Sequence, residues 1–253
     1  MTQQYHLYTP EDHHVWSLLY DRQMELVPMY ATSSYLNGIH KCGFRRDCVP
    51  DFIEVNRALA KATGWAIYVV PGLIDNATFF AHLSRCEFPA TTWLRKLAQL
   101  SYLEEPDMFH DVFGHIPLLS EPFFCDFLQG LSEIMIDHMD DEWAIERMAR
   151  LYWYTVEFGL IREAGQIKIY GAGILSSAGE TLYCVSEEAN HMDYDPQVIM
   201  DTPYVKEGYQ RQYFVISSYE ELFGSLSKIR EIIRTSGRSE MNVRNPSLAI
   251  ALG

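Results

Sequence analysis

Two histidines, His110 and His115, lie five residues apart in a segment, residues 106–119, that is otherwise mostly apolar. Imidazole nitrogens bind transition metals, and two of them with one carboxylate leave coordination positions open for reactants. A single histidine in such a setting is more often a hydrogen-bonded core residue. The pair favours the other interpretation, and it predicts a metal site.

The spacing of the pair requires a change in the helix that carries it. At about 100° per residue, the two rings would lie roughly 140° apart on a continuous α-helix. Gly114 and Pro117 supply a break, so we expect the helix to end near Gly114 and His115 to turn back toward His110. The spacing differs from the His-Glu-x-x-His pattern of zinc peptidases, and the sequence therefore does not favour a protease.

Glu157 is the candidate third ligand. A helix is predicted over residues 141–165, with Asp141 as its N-cap and Gly165 at its end. Glu157 lies on the flank of the apolar stripe of this helix, one turn from Trp153. A carboxylate there is costly unless it is paired or metal-bound. A carboxylate that reaches solvent at the edge of the buried face is the alternative.

The other patterns predict one domain, residues 1–253, of mainly α class with a few short β-strands. Helical spacing indicates four further helices, at residues 10–28, 51–64, 75–85 and 219–235. Pro106 fits the first turn of another. β-branched and aromatic runs indicate strands at residues 65–70, 166–170 and 213–216, and an extended segment at 87–95. Residues 171–179 are predicted to form a turn and a segment of small residues, and the tail beyond residue 236 to be extended.

Composition narrows the classes of partner. A net charge of -14 without a cluster of Lys and Arg argues against nucleic acid and an anionic membrane as partners. A secretory signal and a transmembrane run are not recognisable, so a cytoplasmic location is expected. The five cysteines are scattered and odd in number, which favours free thiols over disulfides or a zinc site: Cys42, Cys48, Cys86, Cys125 and Cys184.

Three blocks of sequence, in this order along the chain, carry a family resemblance. They are PDMFHDVFGHIPLL at residues 106–119, YWYTVEFGL at 152–160 and YGAGILSS at 170–177. Together they closely resemble the pterin-dependent aromatic amino acid hydroxylases, with bacterial members nearest, over about residues 8–219. The resemblance implies the catalytic-domain fold of that family, a helical basket around an iron site.

The resemblance also implies the chemistry. His110, His115 and Glu157 would bind a non-haem Fe(II), with O2 and a tetrahydropterin such as tetrahydrobiopterin as reactants. Hydroxylation of L-phenylalanine to L-tyrosine is the expected reaction. Hydroxylation of tryptophan or tyrosine is the alternative within the family, because the shape of the pocket decides the substrate. A zinc hydrolase and a catalytically silent metal-binding module are alternatives from other classes.

The same resemblance assigns further site residues. Arg95 corresponds to the arginine that binds the amino acid carboxylate, a role suited to a planar fork of donors. Around the rest of the substrate would lie Pro106, Trp153, Phe158, Gly173 and Ser176. The pterin would meet the backbone of Gly72, Leu73 and Ile74, the ring of Phe79, and Asn76 and Glu105. Close to the iron would lie Asp111, Tyr152 and Glu180.

Departures from the animal members of the family concern the cleft and the ends of the chain. Animal enzymes have Glu at Asp111, His at Pro89 and Thr at Leu103, and Tyr154 stands where phenylalanine is common. Neither a regulatory domain nor a tetramerisation helix is recognisable in the sequence. An unregulated monomer is therefore expected.

Overall fold

Helices supply most of the architecture in this computed structural model, which describes residues 1–100, 105–206 and 208–236. The α-helices are α1 (Pro10–Met24), α2 (Val27–Tyr30), α3 (Ser33–Lys41), α4 (Phe52–Ala62), α5 (Asn76–Leu83), α6 (Pro122–Ile136), α7 (Glu142–Tyr152), α8 (Ala172–Leu175), α9 (Ala178–Tyr183), α10 (Pro196–Asp201) and α11 (Tyr219–Ser236). Short 3-10 turns are Tyr5–Leu7, Leu97–Gln99 and Ile116–Ser120, and two π-helices are Phe109–His115 and Trp153–Glu157. The predicted class is confirmed.

Side-chain caps fix the starts of several predicted helices. Thr9 and Asp12 form a reciprocal capping box at the start of α1, and Asp51, Asp75 and Asp141 each accept backbone N–H groups ahead of α4, α5 and α7. Helix α1 ends at Met24 rather than reaching residue 28. These caps satisfy donors that have no partner within the helix.

The strands form two small sheets. Strands β1 (Ala66–Val69) and β2 (Glu87–Ala90) pair in parallel. The second sheet has the order β4-β3-β6-β5, with β3 (Leu160–Glu163) antiparallel to β4 (Gln166–Ile169) and parallel to β6 (Gln212–Ile216), which in turn pairs in parallel with β5 (Asn190–Asp193). The strands predicted at 65–70, 166–170 and 213–216 are thus present.

The helix predicted over residues 141–165 is wrong in its second half. Helix α7 passes into a π-helix that ends at Glu157, and the chain then forms a β3–β4 hairpin. Ala164 and Gly165 both have positive φ, 50° and 77°, as a tight two-residue hairpin turn requires. Gly165 therefore closes a hairpin and does not end a helix.

Other differences concern elements that were not predicted from the sequence. Helix α6 is one of them, although its unburied residues Asp126, Gln129, Glu133 and Ile136 recur three or four positions apart on one side of the helix. Residues 171–179 contain helix α8 and the start of α9 rather than a turn, and helices α3 and α10 and strand β5 were not predicted. Leu103 and the tail beyond residue 236 lie outside the described residues.

An aromatic core supports the segment that carries the two histidines. Phe109 and Phe113 stack with ring centroids 4.7 Å apart, and Trp16 of α1 meets Phe109 edge-on at 5.5 Å. The indole N–H of Trp16 donates to the backbone oxygen of Arg45, so the buried ring has no unpaired donor. Across residues 1–100, 105–206 and 208–236, no helix is both long enough and apolar enough to cross a membrane.

Candidate active site

A π-helix, Phe109–His115, brings the two histidines together. Hydrogen bonds in a π-helix join residues five apart, so side chains at that spacing lie on neighbouring turns of one face. This helix ends at His115, one residue beyond Gly114, as predicted, but His115 does not turn back after a break, because both histidines lie on the π-helix itself. Gly114 serves close contact instead: a Cβ atom there would lie 2.9 Å from the backbone oxygen of Ala172 in α8.

Glu157 is the last residue of the second π-helix, Trp153–Glu157. The N–H of Phe158 donates to the oxygen of Trp153 at 2.8 Å, five residues back. The wider turn aims the carboxylate inward, and Glu157 is only 4% exposed. The alternative of a carboxylate reaching solvent is thereby excluded.

The three side chains form one compact cluster. His115 Nε2 lies 3.2 Å from Glu157 Oε1 and 3.4 Å from His110 Nε2, and His110 Nε2 lies 3.7 Å from Glu157 Oε2. Ligand atoms bound to one metal ion at about 2.1 Å and at right angles are about 3 Å apart. The spacing therefore fits a single metal ion held by two imidazoles and one carboxylate. In the described part of the chain this is the group of side chains with metal-ligand spacing.

Ser176 orients the first of these imidazoles. Its hydroxyl lies 2.9 Å from His110 Nδ1 and donates its single proton to the backbone oxygen of Ala172, also at 2.9 Å. Ser176 must then accept from His110 Nδ1–H, which leaves Nε2 deprotonated and free to bind a metal. Such a partner fixes both the tautomer and the ring orientation of a ligating histidine.

The charge state of Glu157 suits a ligand. Burial raises the pKa of its carboxyl, but His115, His110 and the backbone N–H of Gly173 together hold that pKa below its usual value. Burial also lowers the pKa of His110 below its ordinary value. The cluster thus combines an ionised Glu157 carboxylate with a neutral His110 imidazole, which are the forms of these groups that bind metals.

A cleft of about 430 Å³ adjoins the cluster. Its walls include most of the predicted pterin residues together with Asp111: Val70, Gly72, Leu73, Ile74, Asn76, Phe79, Pro89, Thr91, Pro106 and Asp111. Glu105, by contrast, is exposed and does not belong to this lining. Pro106, predicted near the amino acid, lies in the wall of this cleft, ahead of the π-helix rather than in its first turn.

Asp111 is held at the inner end of the cleft by Thr91. The backbone N–H and the hydroxyl of Thr91 both donate to Asp111 Oδ2, each at 2.8 Å. Burial raises the pKa of Asp111 even though His110 and the Thr91 donors oppose that effect. A carboxyl group in this position can hold or release a proton beside both the cleft and the metal-binding cluster.

Tyr152 lies behind the same wall. Its ring meets that of Phe79 edge-on at 5.8 Å, and burial together with the charges of Glu157 and Asp111 raises the pKa of its hydroxyl well above the usual value. Tyr152 therefore stays protonated and fixes the ring of Phe79 at the cleft. The predicted proximity of Tyr152 to the cluster agrees with this placement.

Arg95 is buried and bound by a partner that the sequence did not reveal. Asp107 accepts from Arg95 Nε and from one terminal nitrogen, each at 2.9 Å, and from the backbone N–H of Arg95. The bidentate pair uses one edge of the guanidinium, so the other edge remains for a ligand carboxylate. In the sequence, the local signal for Asp107 was its position next to Pro106 in the block at residues 106–119 that resembles the family.

Trp153 and Phe158 form an aromatic wall beside Glu157. Their ring centroids lie 4.7 Å apart, and Tyr204 stacks on the other side of Trp153 at 4.5 Å. Gln210 accepts the indole N–H at 3.1 Å, and the backbone N–H of Gln210 in turn donates to Glu180. Gln210 therefore links Glu180 to this aromatic wall by two hydrogen bonds. Sequence reasoning missed both Gln210 and Tyr204, because they lie some fifty residues along the chain from Trp153.

The site has the composition of a metal centre, with two histidines and one carboxylate beside a cleft. Residues 4–246 match the family described as biopterin-dependent aromatic amino acid hydroxylase. Two similar relatives are the phenylalanine-4-hydroxylases of Ralstonia nicotianae, 46% identical over 88% of this chain and 71% of the relative, and of Chromobacterium violaceum, 47% identical over 85% and 73%.

A solved structure agrees with these relatives. The C. violaceum phenylalanine hydroxylase with bound iron(III) and 7,8-dihydrobiopterin has a TM-score of 0.87 and 44% identity, over 92% of this chain and 86% of that one. The chain belongs to the biopterin-dependent aromatic amino acid hydroxylases.

Proposed function

We propose that this protein hydroxylates L-phenylalanine to L-tyrosine, with O2 and a tetrahydropterin at a non-haem Fe(II) site. The observation that carries the proposal is the convergence of three features: the His110, His115 and Glu157 cluster, the 430 Å³ cleft beside it, and the fork of Arg95. The bacterial relatives bear the name phenylalanine-4-hydroxylase, which supports the choice of substrate.

The metal ligands are His110 Nε2, His115 Nε2 and the Glu157 carboxylate. When bound there, Fe(II) would supply the site for O2, and the reduced pterin would supply the two electrons that reduce one oxygen atom while the other enters the substrate ring. The protein contributes orientation and exclusion of water. Ser176 fixes the ring of His110, and the burial of Glu157 keeps solvent from the ligand face.

The pterin occupies the cleft. Gly72, Leu73, Ile74, Asn76, Phe79 and Asp111 line this cleft and would hold the pterin, and the ring of Phe79 would be available for stacking. Because Tyr152 holds Phe79 edge-on, the stacking ring is fixed before the pterin binds. A ligand that meets rigid walls loses less entropy to ordering the protein.

The amino acid binds between Arg95 and the aromatic wall. Arg95 offers its free edge to the carboxylate, while Trp153 and Phe158 contact the side chain and Gly173 lies next to them. Asp107 keeps the guanidinium in place at fixed orientation. This arrangement puts the aromatic ring toward the metal ligands and the charged end away from them.

Product identification tests the proposal. Iron-loaded protein is given tetrahydropterin, O2 and an equimolar mixture of phenylalanine, tryptophan and tyrosine, and the products are separated. We expect tyrosine formed from phenylalanine to predominate. Hydroxylated tryptophan or dihydroxyphenylalanine as the main product would instead assign tryptophan or tyrosine as the substrate, within the same family. Tight zinc binding without pterin-dependent O2 consumption would favour a hydrolase or a silent metal-binding module.

We also propose that the protein acts as a monomer of one catalytic unit. A single buried cluster connects the helices with both sheets through the described residues, which supports one unit. Sedimentation at micromolar concentration checks the oligomeric state, and a stable dimer or tetramer would contradict it.

A further inference from the structure

Helix α3 contacts the backbone on both sides of His115. The hydroxyl of Tyr35 donates to the backbone oxygen of Phe113, two residues before this histidine. One turn further along α3, Gly38 packs against Pro117, two residues after it, so closely that a Cβ atom at Gly38 would overlap the oxygen of Pro117. Residues three apart lie on one face of a helix. One face of α3 therefore holds the chain at both sides of the second histidine.

Pro117 removes the usual donor for the oxygen of Phe113. In a regular helix that oxygen would accept the N–H four residues further on, but residue 117 is proline and has no N–H. The N–H of Ile116 is already given to the oxygen of Val112. Tyr35 and Phe113 are fully buried, and a buried carbonyl without a donor is costly. The hydroxyl of Tyr35 supplies a donor that Pro117 cannot.

Tyr35 is itself held in place by α3. Its backbone N–H and that of Ser34 donate to the side chain of the N-cap residue Thr32. Its ring meets that of Phe113 edge-on, with centroids 6.1 Å apart. Burial raises the pKa of Tyr35 well above its usual value, so the hydroxyl stays protonated and remains a donor. The donor is therefore in position before any metal binds.

The two imidazoles of the cluster are supported in different ways. Ser176 orients His110 through a side-chain hydrogen bond. The ring of His115 packs against that of Phe88, with centroids 4.7 Å apart, and the contacts with α3 act on the backbone that carries it. A metal-binding group must be held within about 0.5 Å of its productive position. The path of the backbone next to His115 therefore matters for binding of a metal.

We propose that Tyr35 is a positioning residue for the metal site, and that it keeps His115 at its ligating position by fixing the backbone oxygen of Phe113. This inference rests on the proposed function, because it concerns the metal which that function needs. Tyr35 acts through the backbone, so it sets the affinity and geometry of the metal site. Gly38 contributes by letting α3 approach closely enough for the hydroxyl to reach Phe113.

Removal of one hydroxyl group tests this role. Tyr35→Phe keeps the ring and deletes the donor to Phe113. Tyr219→Phe is the matched control, because it deletes another buried tyrosine hydroxyl next to α3, 3.1 Å from the hydroxyl of Thr32. Both variants and the wild type are titrated anaerobically with Fe(II). We expect the Kd for Fe(II) to rise about tenfold in Tyr35→Phe and to stay at the wild-type level in Tyr219→Phe.

Two further measurements separate positioning from stability. Co(II) serves as a spectroscopic probe, because its visible absorption bands report the geometry of its ligands. We expect these bands to change in Tyr35→Phe and to match the wild type in Tyr219→Phe. Urea denaturation at several Co(II) concentrations gives the metal affinity of the folded form from the shift of the midpoint, even where the metal-free variant is partly unfolded. The shift should be smaller in Tyr35→Phe than in the other two proteins.

The outcomes separate the inference from the proposed function. Wild-type metal affinity and Co(II) bands in Tyr35→Phe would overturn the inference, even if the variant were less stable. An equal loss of affinity in both variants would also overturn it, because the loss would then not depend on the contact with Phe113. Hydroxylation by the wild type would still support the function in either case. A wild-type protein that binds Fe(II) without hydroxylating phenylalanine would overturn the function alone, and one that binds no Fe(II) would overturn both.

Discussion

The metal-binding cluster and the pterin cleft are built in different ways. The cluster consists of side chains fixed in two π-helices, with its carboxylate 4% exposed. The cleft is lined by the loop after β1, in which Leu73 is 50% exposed, together with residues of α5, β2 and the segment around Asp111. Binding of a metal in the cluster depends on the identity of three side chains. Binding of a pterin in the cleft depends more on the conformation of the loop backbone. Substitutions should therefore have very unequal effects.

Removing a metal ligand should have the largest effect. Glu157→Gln keeps the volume but replaces the anionic ligand that both imidazoles face. We expect Fe(II) affinity to fall at least about a hundredfold and tyrosine formation to be lost. Metal analysis after equilibrium dialysis and a product assay measure these quantities. Glu188→Gln, an exposed control, should leave both unchanged. Iron affinity at the wild-type level in Glu157→Gln would remove this residue from the ligand set.

Breaking the ion pair between Arg95 and Asp107 should have the second largest effect. Asp107→Asn leaves the buried guanidinium of Arg95 without its counter-charge. We expect the free energy of unfolding to fall by about 3 kcal/mol, and the KM for phenylalanine to rise because Arg95 is no longer oriented. Urea denaturation and kinetics give the two values. Asp21→Asn, which breaks an exposed pair with Arg46, should cost much less. Equal losses in the two variants would show that burial of the Arg95 pair is unimportant.

Removing the hydrogen-bond partner of His110, the hydroxyl of Ser176, should have an intermediate effect on Fe(II) affinity. Ser176→Ala deletes the acceptor for His110 Nδ1–H. We expect Fe(II) affinity to fall about 10- to 100-fold with little loss of folded protein. Ser177→Ala is the matched control, because Ser177 caps α9 and has no contact with a ligand. It should lower stability and leave iron affinity unchanged. If both variants lose iron equally, the effect belongs to the local backbone rather than to the hydrogen bond.

The loop of the cleft should give the smallest effect. Leu73→Ala keeps the backbone that faces the pterin, so the pterin KM should change less than about twofold. Phe79→Ala removes the stacking ring and should raise the same KM up to about tenfold. Kinetics at varied pterin concentration and saturating phenylalanine compare the two. A larger rise for Leu73→Ala than for Phe79→Ala would reverse the assignment of backbone and side-chain roles in the cleft.

Local signals predicted a good part of the molecule. The caps at Asp51, Asp75 and Asp141 mark helix starts because each acts within three residues of itself. The helical class followed from periodicity, and the strands at 65–70 and 213–216 followed from runs of β-branched and aromatic residues. The prediction of one helix over residues 141–165 was wrong in its second half. Apolar residues at nearly helical spacing continue there through a π-helix into a β-hairpin.

The sequence by itself singled out the candidate residues for the chemistry, since His110, His115 and Glu157 are polar groups in apolar surroundings and stand in blocks typical of one family. Only the tertiary structure decided how they meet. Residues five apart share a face when the helix widens, and tertiary packing imposes that widening: Gly114 lets α8 approach, and Ser176 reaches His110 from 66 residues away. The partners of Arg95, Asp111 and Trp153 are likewise set by packing, because no spacing rule links residues from separate elements.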